Sequence, residues 1–294
     1  MARPAVIAVT GATGAVGGAV ATRLSRKGVP QRLVVRAAER APRLSGGEVA
    51  EASYDDAEAM RDALREVDTL FLVSATESPD RVRQHTTAID AAAAAGVKRV
   101  VYLSFIGAAP DSTFTFARDH FHTEQHARAS GLSHTFLRSS LYADQVPYFC
   151  SIEGVIQGPA ADGRVSWVTR EDIAAAATNV LTGEGHDGSA YDLTGPAALT
   201  MEQTAAALAE ITGREITFRD ETIEGARASR SGSGPGWQIE GWVSSYAAMA
   251  RGEMATVTDA VSNLTGREPQ SLISWLRTHP ETYQHLLVAR YRHK

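Results

Sequence analysis

Three glycines at three-residue spacing, Gly11, Gly14 and Gly17, follow directly on the apolar run from Val6 to Val9 and Thr10, and lead straight into an amphipathic pattern. That order reads as a buried strand, a tight turn and the start of a helix. Gly11 can turn the backbone sharply, Gly14 carries no Cβ to hold an anion off the main chain, and Gly17 lets the helix pack close to the strand. The free N–H groups of the first helical turn and the positive end of the helix dipole then face the same point. Thr10, Gly11, Thr13, Gly14, Ala15, Val16 and Gly17 are therefore the residues expected around the pyrophosphate of a dinucleotide. An ordinary turn could use the same glycines. The strand before and the helix after are what favour the nucleotide reading.

The next segments alternate. Val16, Val20 and Leu24 recur at helical spacing up to Gly28, and residues 31–35 read as a second strand closing on Arg36. Further strands are expected over 48–52, 69–73, 99–103 and 134–138, with a helix opening near Asp55, one running from Pro79 to its stop at Gly96, and another closing near Gly131. Strands alternating with helices predict an α/β protein, a Rossmann-type doubly wound parallel sheet whose ligands sit at the strands' carboxyl ends. Arg36, Asp55, Ser74, Ala75, Ser104, Phe105 and Ser139 stand at or near those ends. Arg36 occupies the place where NAD-preferring folds put a carboxylate, and a guanidinium can pair with a 2′-phosphate in a bidentate way. The expected cofactor is NADP(H) rather than NAD. Asp55 either meets the adenine edge or, like Asp56, caps the helix that follows.

At 294 residues with 44% hydrophobic content, the chain can build a NADP-binding domain over 1–149, with return segments from later in the chain, and a smaller α+β lobe over 150–294. Residues 165–168, 172–181, 190–193, the Thr200-capped stretch to Thr212, and 215–218 read as pieces of that lobe. Residues 229–236 look like its most flexible loop, Trp237, Trp242 and Tyr246 like core, and Arg290 to Lys294 like a solvated basic end. The net charge of −5 offers no case for a nucleic-acid partner. The single cysteine, Cys150, between aromatic and polar neighbours, reads as a packing thiol in a reducing compartment. No apolar stretch is long enough for a membrane span, and the chain enters a strand too early for a signal peptide, so cytoplasm is expected. A homodimer is among the assemblies this leaves open.

Val9 to Gly14 with Gly17, Val35-Arg36, Gly96-Val97-Lys98, Thr123-Glu124, Ser130-Gly131 and Leu137-Arg138 together resemble the NmrA-like atypical short-chain dehydrogenases. The nearest branch is the one containing NADPH-dependent quinone oxidoreductase and triphenylmethane reductase. The resemblance is good from Ala5 to about Phe149, with later echoes in Asp172-Ile173-Ala174, Tyr191 to Gly195 and Leu264 to Arg267. It implies a Rossmann domain that binds NADP and a small C-terminal lobe that shapes a substrate cleft. Some members of the family bind the cofactor only to sense redox state, so a non-catalytic sensor stands beside the reductase as the alternative.

Ordinary short-chain dehydrogenases reduce carbonyls with a serine and a Tyr-x-x-x-Lys. Here Ser104 falls at the expected strand end, but Phe116-Ala117-Arg118-Asp119-His120 occupies the tyrosine–lysine stretch. Phe116 has no proton to give, and His120 stands where many relatives carry lysine. Hydride transfer to a quinone or another conjugated acceptor needs less help from a strong acid. His120 and Ser104 are the candidate catalytic residues, His120 as cofactor anchor or as a proton donor near its ordinary pKa. Phe105, Tyr142 and Phe149 are candidate walls for an aromatic or quinone-like small molecule. His122 and His126 have helical i, i+4 spacing but no third ligand at telling distance, so no metal is expected.

Overall fold

The alternation seen in the sequence becomes a seven-stranded sheet in the computed structural model, which describes residues 4–288. In chain order the elements are β1 (Ile7–Thr10), α1 (Ala15–Arg26), β2 (Gln31–Val35), β3 (Gly47–Glu51), α2 (Ala57–Ala63), β4 (Thr69–Val73), α3 (Arg81–Ala94), β5 (Arg99–Phe105), α4 (Thr115–Ala129) and β6 (Ser133–Ser139). They continue through α5 (Val146–Phe149), β7 (Val155–Gly158), β8 (Arg164–Val165), α6 (Arg170–Thr182) and β9 (Ala190–Leu193). The sheet order is β3-β2-β1-β4-β5-β6-β9. Its pairings of β1 with β2 and β4, β2 with β3, and β4 with β5 are all parallel. The order reverses between β1 and β4, which is where a doubly wound sheet opens a crevice at its carboxyl edge.

The apolar content of the central strands follows from cover on both faces. All four residues of β1 are buried. One side of the sheet packs Ala8, Val34, Leu70, Leu72, Val100 and Tyr102 against Met60 and Leu64 from the α2 region and Ala88, Ile89 and Ala92 of α3. Each fully buried Leu or Ile in that layer contributes roughly 1.5–3 kcal/mol relative to exposure.

The chain divides into two compact units. The first comprises residues 1–110, 119–138 and 171–192, and the second residues 111–118, 139–170 and 193–294. Residues 172–181 and 190–192, read from the sequence as parts of the smaller lobe, fall in the first unit, and β9 is the sheet strand beside β6. The Phe136 N–H donates to the Ser189 carbonyl at 3.0 Å, and nearly every position of α6 from Asp172 to Leu181 is buried, as its run of alanines allows.

In the second unit β7 pairs in parallel with Thr217–Asp220, and β8 pairs antiparallel with Leu199–Thr200. Thr200 begins the helix Met201–Thr212 with a capping box completed by Gln203. The expected strand over 165–168 is shorter than its apolar run: Val168 makes only an isolated bridge with Tyr142. Residues 229–236 join the helices Ile223–Ser229 and Gly236–Ala250. Tyr246 is core as expected, but Trp237, in the first turn of the second helix, is exposed. Cys150 is a buried thiol, and burial pushes its pKa up. Among the described residues no helix is long and apolar enough to cross a membrane. Arg290 to Lys294 lie outside the described residues.

Candidate functional site

A cavity of about 490 Å³ opens in the first unit at the carboxyl ends of β1, β2, β3 and β4. Thr10, Gly11, Thr13, Gly14, Arg36, Asp55, Ser74 and Ala75 all line it. The turn is built by backbone alone. Gly11 sits at φ 62°, and the Gly14 N–H donates to the Gly11 carbonyl at 2.9 Å. A Cβ on Gly17 would fall 2.3 Å from that same carbonyl oxygen, so only glycine lets α1 start so close to β1. Val16 and Gly17 are buried, Ala15 is exposed at the helix start, and none of the three lines the cavity.

Gly14 is the N-cap of α1. No side chain caps the helix, and its first turn carries no acidic residue. The N–H groups that would otherwise need a cap are left for an anion, so the residues present fit a pyrophosphate. Thr10 has a different job. Its hydroxyl donates to the Phe71 carbonyl at 3.1 Å and accepts the Val73 N–H at 2.9 Å, tying β1 to β4 beneath the cavity. The Tyr54 hydroxyl, which the sequence did not single out, donates to the Val73 carbonyl at 2.7 Å and lies 2.6 Å from Thr10 Oγ1. Burial raises its pKa, so it stays protonated.

Arg36 is exposed at the end of β2, on the cavity wall. The two aspartates divide the roles proposed for them. Asp56 caps α2, accepting from the amides of Glu58 at 3.1 Å and Ala59 at 2.9 Å. Asp55 lines the cavity and accepts from Arg83 Nη2 at 2.8 Å and Gln84 Nε2 at 3.0 Å. The bond from Arg83 holds its carboxyl below the usual range.

Ser104, Phe105 and His120 lie elsewhere in the first unit, on β5 and α4, and do not line this cavity. Ser104 donates to Glu124 Oε1 at 2.7 Å. Glu124 is fully buried and also accepts from Arg138 Nε at 2.8 Å, Arg138 Nη2 at 2.6 Å and Arg128 Nη2 at 3.1 Å. The hydroxyl expected to polarise a substrate carbonyl is thus engaged with a buried carboxylate. His120 is 5% exposed, with Nδ1 2.8 Å from the Tyr102 hydroxyl and its ring stacked on Phe105 at 6.1 Å. Burial, aided by the nearby Arg81, drives its pKa well below the ordinary value. This corrects the expectation of a proton donor near that value: the ring is a neutral imidazole.

Ser139, Tyr142 and Phe149 belong to the second unit. Ser139 is buried, Tyr142 lies under the Arg170 guanidinium at 4.5 Å, and Phe149 packs on Trp167 and Tyr246 at 5.7 and 6.3 Å. Phe116 is a packing residue, fitting so tightly over Gly241 that a Cβ there would fall 2.2 Å from its ring. His126 pairs with Asp90 at 2.6 Å, and no cluster of three or more His, Cys, Asp or Glu among the described residues is arranged to hold a metal.

The NmrA-like family model matches residues 4–227 of the chain. The chain belongs to the NmrA-like family. It is 36% identical to the (4-alkanoyl-5-oxo-2,5-dihydrofuran-3-yl)methyl phosphate reductase of Streptomyces griseus, over 95% of this chain and 99% of that one. It is 32% identical to the NAD(P)H azoreductase of Xenophilus azovorans, with the same coverage. Among solved NmrA-like structures it superposes on the NADPH-dependent quinone oxidoreductase of Escherichia coli, crystallised with NADPH. That match has a TM-score of 0.84 at 33% identity, covering 95% of this chain and 99% of that one. The branch named from sequence therefore contains a close structural relative of this chain.

Tyr54, which lines the cavity, and the buried His85 and Tyr102 are side chains that sequence reading missed. His85 had a signal. It shares one helical face with Ala88, Ile89 and Ala92, all buried, and a histidine on such a face needs partners. Tyr102 lay inside an apolar strand where its hydroxyl attracted no notice.

Proposed function

We propose that this chain is an NADPH-dependent reductase that hands a hydride to a quinone or similar conjugated small molecule. The observation that carries the reading is the uncapped start of α1 on a cavity that also presents Arg36. The main-chain amides after Gly11 would hold the pyrophosphate and Arg36 the 2′-phosphate. Bound there, NADPH supplies the hydride. Support for the acceptor class comes from the relatives: a quinone and an azo compound are both conjugated and electron-poor.

His120 acts as a neutral hydrogen-bond donor. An uncharged imidazole is too weak an acid to surrender its proton, but its N–H can stabilise the oxyanion that forms as the acceptor takes the hydride. The proton that completes the reduced product then comes from water. Such a donor suits acceptors whose negative charge is delocalised and excludes the demanding proton transfer of simple ketone reduction.

Purified protein mixed with NADPH and a panel of quinones and azo dyes should oxidise the nicotinamide, read by absorbance. Gly14→Val should abolish turnover by weakening NADPH binding more than about 100-fold, since the side chain would stand between anion and backbone. Nucleotide uptake without oxidation of any acceptor would replace the reductase with the redox-sensor reading. Arg36→Ala should weaken NADPH about 10- to 100-fold and leave NADH nearly unchanged, the loss of one charge-assisted contact. Equal weakening of both nucleotides in a fluorescence titration would remove Arg36 from the 2′-phosphate.

A further inference from the structure

A chain of buried polar groups runs from the cavity wall to His120. The Ala75 N–H donates to His85 Nε2 at 2.8 Å, and Ala75 lines the cavity. His85 Nδ1 lies 2.9 Å from Thr123 Oγ1 and 3.3 Å from the Tyr102 hydroxyl, and that hydroxyl lies 2.8 Å from His120 Nδ1. His85, Tyr102 and Thr123 are all fully buried. From this connectivity we infer that His85 and Tyr102 are positioning residues that fix the tautomer of His120, with its proton on Nε2.

The direction of every bond follows from one end. A backbone amide can only donate, so His85 Nε2 carries a lone pair. Burial holds the His85 pKa at about 3, so the ring is neutral and its single proton is on Nδ1. Thr123 donates its own proton to the Asp119 carbonyl at 2.8 Å and is thus the acceptor for His85. Tyr102 cannot donate to a nitrogen that already bears hydrogen. Thr123 also neighbours the Tyr102 hydroxyl, but His120 Nδ1 at 2.8 Å is its close acceptor, so the proton goes there, Nδ1 is the unprotonated nitrogen, and the neutral His120 ring keeps its hydrogen on Nε2. The chain therefore delivers a donor of fixed orientation, set by a main-chain amide two elements away.

Only the kinetic consequence rests on the reductase reading; the tautomer itself does not. Long-range 15N–1H correlation spectra of the intact protein labelled at histidine distinguish a protonated ring nitrogen from an unprotonated one, with His120→Gln assigning the resonance. His120 should show a protonated Nε2 and a bare Nδ1. Tyr102→Phe should scramble that pattern, whereas Thr123→Val, which leaves the Tyr102–His120 bond in place, should preserve it. A hydrogen on Nδ1 in the wild type, or an undisturbed His120 signal in Tyr102→Phe, overturns the inference. The wild-type spectrum decides the matter even if a variant fails to fold.

In turnover assays Tyr102→Phe should lower kcat about 10-fold with the NADPH Kd almost unchanged. A scrambled tautomer with undiminished kcat would uphold the positioning chain and strike His120 from the reaction.

Discussion

Glu124→Ala is expected to cost about 3 kcal/mol of folding stability, because it takes from the partly buried Arg138 guanidinium the carboxylate it is bonded to and leaves it only the attraction of Asp192. Glu124 is fully buried, receives a two-pronged fork from Arg138, and takes further bonds from Arg128 and Ser104, so four donors lose one acceptor together. Desolvating such a pair is expensive, yet once it is assembled, removing one member exposes the whole desolvation cost of the other. For a protein of this size the midpoint of thermal unfolding should fall by about 10 °C. Glu210→Ala provides the contrast: its bond to Arg277 is exposed on both sides, and its loss should cost less than about 1 kcal/mol. If both variants melt within about two degrees of the wild type, Glu124 is not the electrostatic anchor of α4 and β6.

Acid should destabilise the protein before ordinary carboxylates begin to titrate. His85 has a folded-state pKa of about 3, whereas the unfolded chain takes up that proton near 6.5. Between those values the unfolded state binds more protons, so stability falls as pH falls, at about 1.4 kcal/mol per pH unit. By pH 5 the loss from His85 alone is about 2 kcal/mol, and it levels off below the folded pKa. His120, also depressed by burial, adds in the same direction. Asp119, whose carboxyl burial pushes upward, works against them. Urea midpoints between pH 7.5 and 5 should show this slope, and His85→Gln should flatten it. An equally steep slope in that variant would assign the acid sensitivity to other groups.

The parts of this molecule that were legible in its sequence are those set by local periodicity. Val16, Val20 and Leu24 mark one helix face, the apolar run from Leu70 to Val73 marks a strand covered on both sides, and the glycine triplet marks the turn between β1 and α1. What escaped depends on partners far away in the chain. Nothing in Ala190–Leu193 says that it lies beside β6, since its four residues would suit any edge strand. Tyr54 could be read only as the residue before a cap, because its hydroxyl partners sit on β1 and β4. Ser104 was found at the right place on β5 but not in the right company: its bond to Glu124 links a strand to a helix residue twenty positions on. The depressed basicity of His120 is likewise a property of its surroundings, and residue type alone pointed the other way.

The late arrival of β9 has a consequence for synthesis. As the polypeptide leaves the ribosome, β6 emerges with β5 on one side and nothing on the other, and stays so until Ala190–Leu193 has been made. A row of unsatisfied main-chain groups on a nascent sheet is a template for another copy. A fragment stopped at residue 149 would carry that adhesive margin permanently, so an excised half ending there is expected to self-associate rather than stand free.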